Sequence, residues 1–175
     1  MIRIVIGLAA LGALAACQQT KVEPLALTSE IDARDRECLA RAMYFESERS
    51  SREGMLAVGS VVMNRVESEA YGDDVCAVVG QRNQFAPGVM SRSMAQGSGL
   101  AMEVAEDVLA GARHQDVEAS NAMFFHQAGL TFGYGNMNYV AIAGGNAFYE
   151  RLSRTERDRP VTSQAEVRRR MRSPD

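Results

Sequence analysis

Cys38-Leu39-Ala40-Arg41-Ala42-Met43-Tyr44-Phe45-Glu46 is an apolar helical pattern that closes on a carboxylate. Leu39, Ala42, Met43 and Glu46 fall at i, i+3, i+4 and i+7, so the glutamate ends the stripe that faces a core. Partial burial there disfavours the charged form, and the negative pole of the helix C-terminus pushes the same way. Both raise the carboxyl pKa. A glutamate kept protonated near neutral pH is what a general acid requires. Glu46 is therefore the first candidate for chemistry, set against a plainer reading in which it caps the helix that follows.

Downstream, Ser50 and Glu53 have capping-box spacing, which predicts a new helix from there to about Glu69. Met55, Leu56, Val58, Val61, Val62 and Val66 make that helix apolar on more than one face, the pattern of a central, buried element. Tyr71 to Asp74 reads as a turn, and Val75 to Val79 as one or two helical turns. Pro87 stops any helix at Ala86, leaving Arg82 to Gly88 as a polar loop around one aromatic residue, Phe85. Leu100 to Ala112 is amphipathic, with Leu100, Val104, Val108 and Leu109 inward. Asn121 to His126 is an apolar run of strand length, and Gly129 to Asn138 a glycine- and aromatic-rich loop. Tyr139 to Phe148 carries Gly144-Gly145, and the folded region is expected to end near Glu150. The fold class is mainly α (α+β), a helical domain with long loops and room for one small β-hairpin.

The chain ends carry different information. Arg3 and the uncharged apolar run Ile4 to Ala16 form a secretory signal, too short to span a membrane comfortably. Leu14-Ala15-Ala16-Cys17 resembles a bacterial lipobox, which implies that residues 1–17 are a lipoprotein signal and that Cys17 is lipidated; the alternative is an ordinary signal peptide cleaved near Ala16. Residues 18–33 are polar and irregular and read as a tether from membrane to domain. The domain, 34–150, is of a size for one unit, and 151–175 is a basic tail. Residues 18–150 hold 18 acids against 10 Lys or Arg, a formal balance of −8, whereas 151–175 hold eight Arg against four acids. An acidic domain argues against nucleic acid as a partner. Ser163 and Glu166 have capping-box spacing ahead of an arginine run, so the tail is either a short basic helix for an anionic surface or a solvated, frayed end.

Setting Cys17 aside leaves Cys38 and Cys76, an even pair that an oxidising compartment would join. The competing reading, a catalytic thiol with His114 or His126 as base, suits neither cysteine, since each lies in an apolar helical pattern.

Tyr44-Phe45-Glu46, Gly54-Met55-Leu56-Ala57-Val58-Gly59-Ser60-Val61-Val62-Met63-Asn64-Arg65, Asn83-Gln84-Phe85, Phe124-Phe125-His126, Tyr139 and Gly144-Gly145-Asn146-Ala147-Phe148-Tyr149 together resemble the SleB-type cell wall hydrolases. The resemblance spans about residues 38–150. It implies a lysozyme-like, transglycosylase-type fold, peptidoglycan glycan strands as substrate, and Glu46 as the catalytic acid. Two departures stand out. Many relatives carry a second glutamate where this chain has Ser50, and close relatives a histidine where it has Asn138.

Cleaving the bond between N-acetylmuramic acid and N-acetylglucosamine needs a proton on the leaving oxygen and stabilisation of an oxocarbenium-like centre. Only Glu46 joins a motif match to an apolar setting; Glu48 and Glu53 read as solvated or capping residues, and Asp73-Asp74 as part of a turn. One acid without an evident nucleophile points to lytic transglycosylation. Ser47, Asn64, Gln84, Tyr139 and Asn146 are candidates to bond N-acetyl groups or hold the acid, and Phe85 to stack on a sugar. His126 joins them on its motif match. Each has a plainer alternative: Asn64 as a helix or loop cap, Phe85 as a core plug, His126 as a satisfied core residue. No cofactor is expected. A zinc amidase would need three ligands around an open site, and His114 and His126 are the only histidines. A non-catalytic peptidoglycan-binding lipoprotein is the other rival, kept open by the missing second glutamate.

Overall fold

The computed structural model describes residues 32–172, except 69 and 157. The signal, Cys17 and nearly all of the tether lie outside the described residues. Among the described residues no helix is long and apolar enough to cross a membrane.

Helix α1, Ala33–Glu46, starts where Asp32 accepts the Arg34 N–H, so the tether reading is corrected at its last two residues: a capped helix has already begun. It ends at Glu46, as its periodicity predicts. Helix α2, Arg52–Glu67, is capped by Ser51 rather than Ser50; the Ser51 hydroxyl accepts the Gly54 N–H. The predicted start is thus one residue early, because either serine can cap and backbone geometry selects between them. Helix α3, Val75–Val79, is capped by Asp74, and α4 is Ser98–Leu109. Leu39, Met43, Val58, Val61, Val62, Val104 and Val108 are fully buried between α1, α2 and α4. Leu100 and Leu109, expected inward, are only half-buried at the rim of α4, while Ala101 and Ala105 take the inner face. Alanine there lets helices approach closely.

A short helix α5, Gln115–Ala119, leads to a three-stranded antiparallel sheet of order β1-β3-β2. The strands are β1 Phe124–Gln127, β2 Met137–Ala143 and β3 Asn146–Arg151. The expected hairpin is β2–β3, turned by Gly144 and Gly145 at φ +52° and +81°. Both central residues of such a turn need positive φ, which glycine supplies without strain. The sheet exceeds the single hairpin because β1 pairs with the free edge of β3.

Folding does not stop near Glu150. After a 3-10 turn at Arg154–Glu156, helix α6, Gln164–Arg172, packs Val167 against β2. Ser163 Oγ accepts the Glu166 N–H at 3.2 Å as an N-cap, while the Glu166 carboxylate accepts from Arg169 and Arg170 instead of closing a capping box; the helix is formed, and the frayed-end reading is corrected. Asn138 explains the docking: its amide donates to Glu150 at 2.8 Å and accepts the Thr162 N–H at 2.7 Å.

Cys38 and Cys76 form a disulfide that ties α1 to α3. Arg41 of α1 is buried yet satisfied, its guanidinium donating to the carbonyls of Val89 and Arg92. Tyr44 adds a hydroxyl that accepts the Ala95 N–H at 3.0 Å. Two long side chains of one helix thus pin the loop from Gly80 to Gly97.

The hairpin turn rests directly on α2. A Cβ on Gly54 would lie 2.3 Å from Gly144 Cα, and one on Gly144 2.6 Å from Gly54 Cα. Neither neighbour is a flexible side chain that can yield. Gly54→Ala gains helix propensity of about 1 kcal/mol, but forced separation of two backbones costs about 1–3 kcal/mol or more. We expect a net fall in the thermal midpoint together with loss of activity. A raised midpoint would show that the contact is not tight.

Candidate active site

Three segments converge on one groove of about 530 Å³: the end of α1, the loop after α3, and the β1 and β2–β3 turn region. Glu46 stands half-buried in its wall. Burial pushes its carboxyl above the ordinary glutamate value, opposed by the Ala86 N–H, which donates to Oε1, and by the charge of Arg65. The loop can present that N–H because Asn83 takes a left-handed conformation at φ +62°, a state asparagine tolerates better than most residues. The chain then turns Phe85 inward and Ala86 toward the acid.

Asn146 donates from Nδ2 to the backbone carbonyl of Glu46 at 2.5 Å, binding the α1 terminus to the start of β3. Ser47 lines the groove, although its hydroxyl donates to Met43 O at 2.8 Å. Gln84 also lines it, with no side-chain bond among the described residues. Phe85 shows only an edge: it is 9% exposed, set against Phe125 and beneath the Arg65 guanidinium, so it serves mainly as a core plug.

His126 lines the groove as well. Its Nδ1 is 2.9 Å from Gln127 O, and its Nε2 2.9 Å from the Tyr139 hydroxyl. A carbonyl can only accept, so the neutral ring carries its proton on Nδ1 and accepts from Tyr139. Tyr139 itself is buried behind His126 and does not line the groove, a correction to its reading as a sugar contact. Asn64 is also corrected. It is buried, and its amide donates to the carbonyls of Val117 and Ala122 at 3.2 and 2.9 Å, holding the end of α5. His114 lies outside the groove, its ring 3.7 Å from Glu53, while His126 lines it.

Sequence reasoning passed over two charged residues. Arg65 is buried, donates from Nε to Met123 O at 2.9 Å, and lies over the rings of Tyr71 and Phe85. Burial pulls its pKa down, while Tyr71, Tyr149 and Glu46 push it back up. Its Nη1 is buried with no hydrogen-bond partner among the described residues. The signal was present: an arginine on a helix apolar on several faces has to be buried or to break the pattern. Glu48, read as solvated, is indeed exposed, yet it lines the same groove. Its carboxylate lies across Gly145, where a Cβ would come within 3.3 Å of Oε1.

The family described as Cell Wall Hydrolase matches residues 49–149, more than half of the 175-residue chain. The chain belongs to the cell wall hydrolase family. No curated protein matches it. Among solved structures it is similar to the catalytic domain of the germination-specific lytic transglycosylase SleB from Bacillus anthracis. That match has 22% identity and a TM-score of 0.54, covering 67% of this chain and 95% of that one. It is likewise similar to the catalytic domain of the Bacillus cereus SleB protein, at 21% identity and a TM-score of 0.54, over 66% and 89% of the two chains. These likenesses are of fold, and they make this cell wall hydrolase a lysozyme-like α+β domain. The family match begins after Glu46, so the case for that residue is made by its surroundings.

Proposed function

We propose that this cell wall hydrolase cleaves the glycosidic bond between N-acetylmuramic acid and N-acetylglucosamine in peptidoglycan, with Glu46 as general acid and then base. The observation that carries the reading is the half-buried Glu46 carboxyl, raised in pKa and held by the Ala86 N–H, in the wall of an open groove. Protonated Glu46 gives its proton to the leaving oxygen as the bond to the muramoyl anomeric carbon breaks. The resulting carboxylate takes the proton of the muramoyl C6 hydroxyl, whose oxygen closes on the anomeric carbon. The product is a 1,6-anhydro sugar, and no water is consumed. Arg65 stabilises the carboxylate between the two proton transfers through its charge. Gln84, Ser47 and His126 line the path of the strand, and Asn146 fixes the backbone that carries the acid. Export by the N-terminal signal, with lipid on Cys17, would deliver the domain to its substrate.

Glu48 supports a second reading. An exposed carboxylate in the same groove is where a hydrolase would place the base that activates water. Product analysis separates the two. Mass spectrometry of digested sacculi is expected to give 1,6-anhydro ends, with Glu48→Gln reducing turnover less than about tenfold. Reducing ends, lost together with activity in Glu48→Gln, would make the enzyme a hydrolase.

A further inference from the structure

The chain has six Phe and five Tyr and no Trp, and all eleven rings lie in the described residues. Nine are buried or half-buried. The two exposed ones, Phe132 at 47% and Tyr134 at 62%, sit together on the loop between β1 and β2. Exposed aromatic area is costly in water, and confined to one spot it marks a contact surface. They adjoin a residue of the groove wall without lining the groove themselves. His126, in the groove wall, meets the Phe132 ring at 4.7 Å in an edge contact, and Phe132 lies nearly parallel to Tyr134 at 6.4 Å. The rings therefore form a chain of neighbours that begins at a residue of the groove wall.

The loop that bears them is anchored on both flanks. Gln164, the first residue of α6, accepts the Gly129 N–H at 3.0 Å and donates to Leu130 O at 2.7 Å. At the other end Leu152 N–H donates to Asn136 O at 2.9 Å, and the Asn136 amide returns a bond to Leu152 O at 3.3 Å. The C-terminal segment thus holds the loop in place, which gives the folded tail a role at the site.

We propose that Phe132 and Tyr134 form an outlying saccharide subsite, stacking on sugar rings of the same glycan strand beyond the residues cleaved at Glu46. The chemistry is that of a pyranose face, whose axial C–H groups make an apolar patch that an aromatic ring covers while the hydroxyl rim stays in water. The inference rests on the glycan reading above and adds to it a preference for long strands.

The test compares glycan strands freed of stem peptides with a tetrasaccharide of the same repeat, using the exported domain with and without Phe132→Ala/Tyr134→Ala. The ratio of kcat/KM on long strands to that on the tetrasaccharide should drop about tenfold, carried by KM. Phe132→Tyr/Tyr134→Phe should restore it. An unchanged ratio, or an equal loss on both substrates, would overturn the subsite. So would a loss confined to intact strands that keep their stem peptides, assayed alongside, since the rings would then be reading peptide. Glu46→Gln runs in parallel: if it still cleaves either substrate, the catalytic reading has failed, independently of the loop.

Discussion

Glu46→Gln is expected to lower cleavage of peptidoglycan by at least about 10²–10⁴-fold, the range general acid–base catalysis supplies, while leaving retention on sacculi intact. Glutamine keeps an oxygen to accept the Ala86 N–H but has no proton to give at neutral pH. Zymogram clearing beside a sacculus pull-down reads both properties. A protein that merely tethers would show no clearing before the substitution, and clearing that survives it would remove Glu46 from the mechanism. The same residue sets a pH limb. Its pKa is raised, chiefly by burial, so the proton-donating form persists above the usual carboxylate range and the rate falls as pH rises through the raised value. Linkage fixes the sign for stability. Between the ordinary value of 4.5 and the raised one, the unfolded chain has released a proton that the native state keeps. Stability therefore declines across that window as pH rises. Glu46→Gln should be at least as stable as the parent at neutral pH, an advantage that vanishes below the ordinary glutamate range. Greater instability of the variant at neutral pH would contradict a carboxyl that is costly to ionise.

Opening the Cys38–Cys76 bridge is expected to have the largest effect on stability. The cysteines are 38 residues apart, and closing such a loop contributes about 4 kcal/mol in the chain-entropy model, against a total of about 5–15 kcal/mol for a domain. In urea, Cys38→Ser/Cys76→Ser should lower the unfolding midpoint by about 2 M. Activity should suffer too, because α3, held to α1 by the bridge, leads into the loop that brings the Ala86 N–H to Glu46. Equal midpoints for the bridged and serine forms would mean that helix packing alone sets the position of α3.

The helices were legible because their signals are local. Periodicity ends α1 at Glu46, Pro87 stops the chain from continuing as helix, and Gly144-Gly145 demands a turn whatever surrounds it. The cysteine pair was legible by count. Legibility faltered wherever a residue had two valid local uses. Ser50 and Ser51 can both cap; Asn64 can meet a sugar or close off carbonyls 53 and 58 residues away; a basic C-terminal run can fray or dock. Asn64 lies on a buried face of α2, and a buried amide must find partners in the protein, so packing decided its use.

From sequence alone came the helical frame, the disulfide pair and the glutamate at the end of an apolar stripe, since each depends on neighbours within a turn or two or on residue chemistry. Tertiary structure alone brought Ala86 to that carboxylate from 40 residues away and Asn146 to its carbonyl from 100. It likewise buried Arg65 nearby, laid Glu48 across Gly145 and set Phe132 against His126 of the groove wall, with Tyr134 beside it. Periodicity tells which face of an element is buried; what that face meets is decided when distant elements pack and their polar groups must be paired.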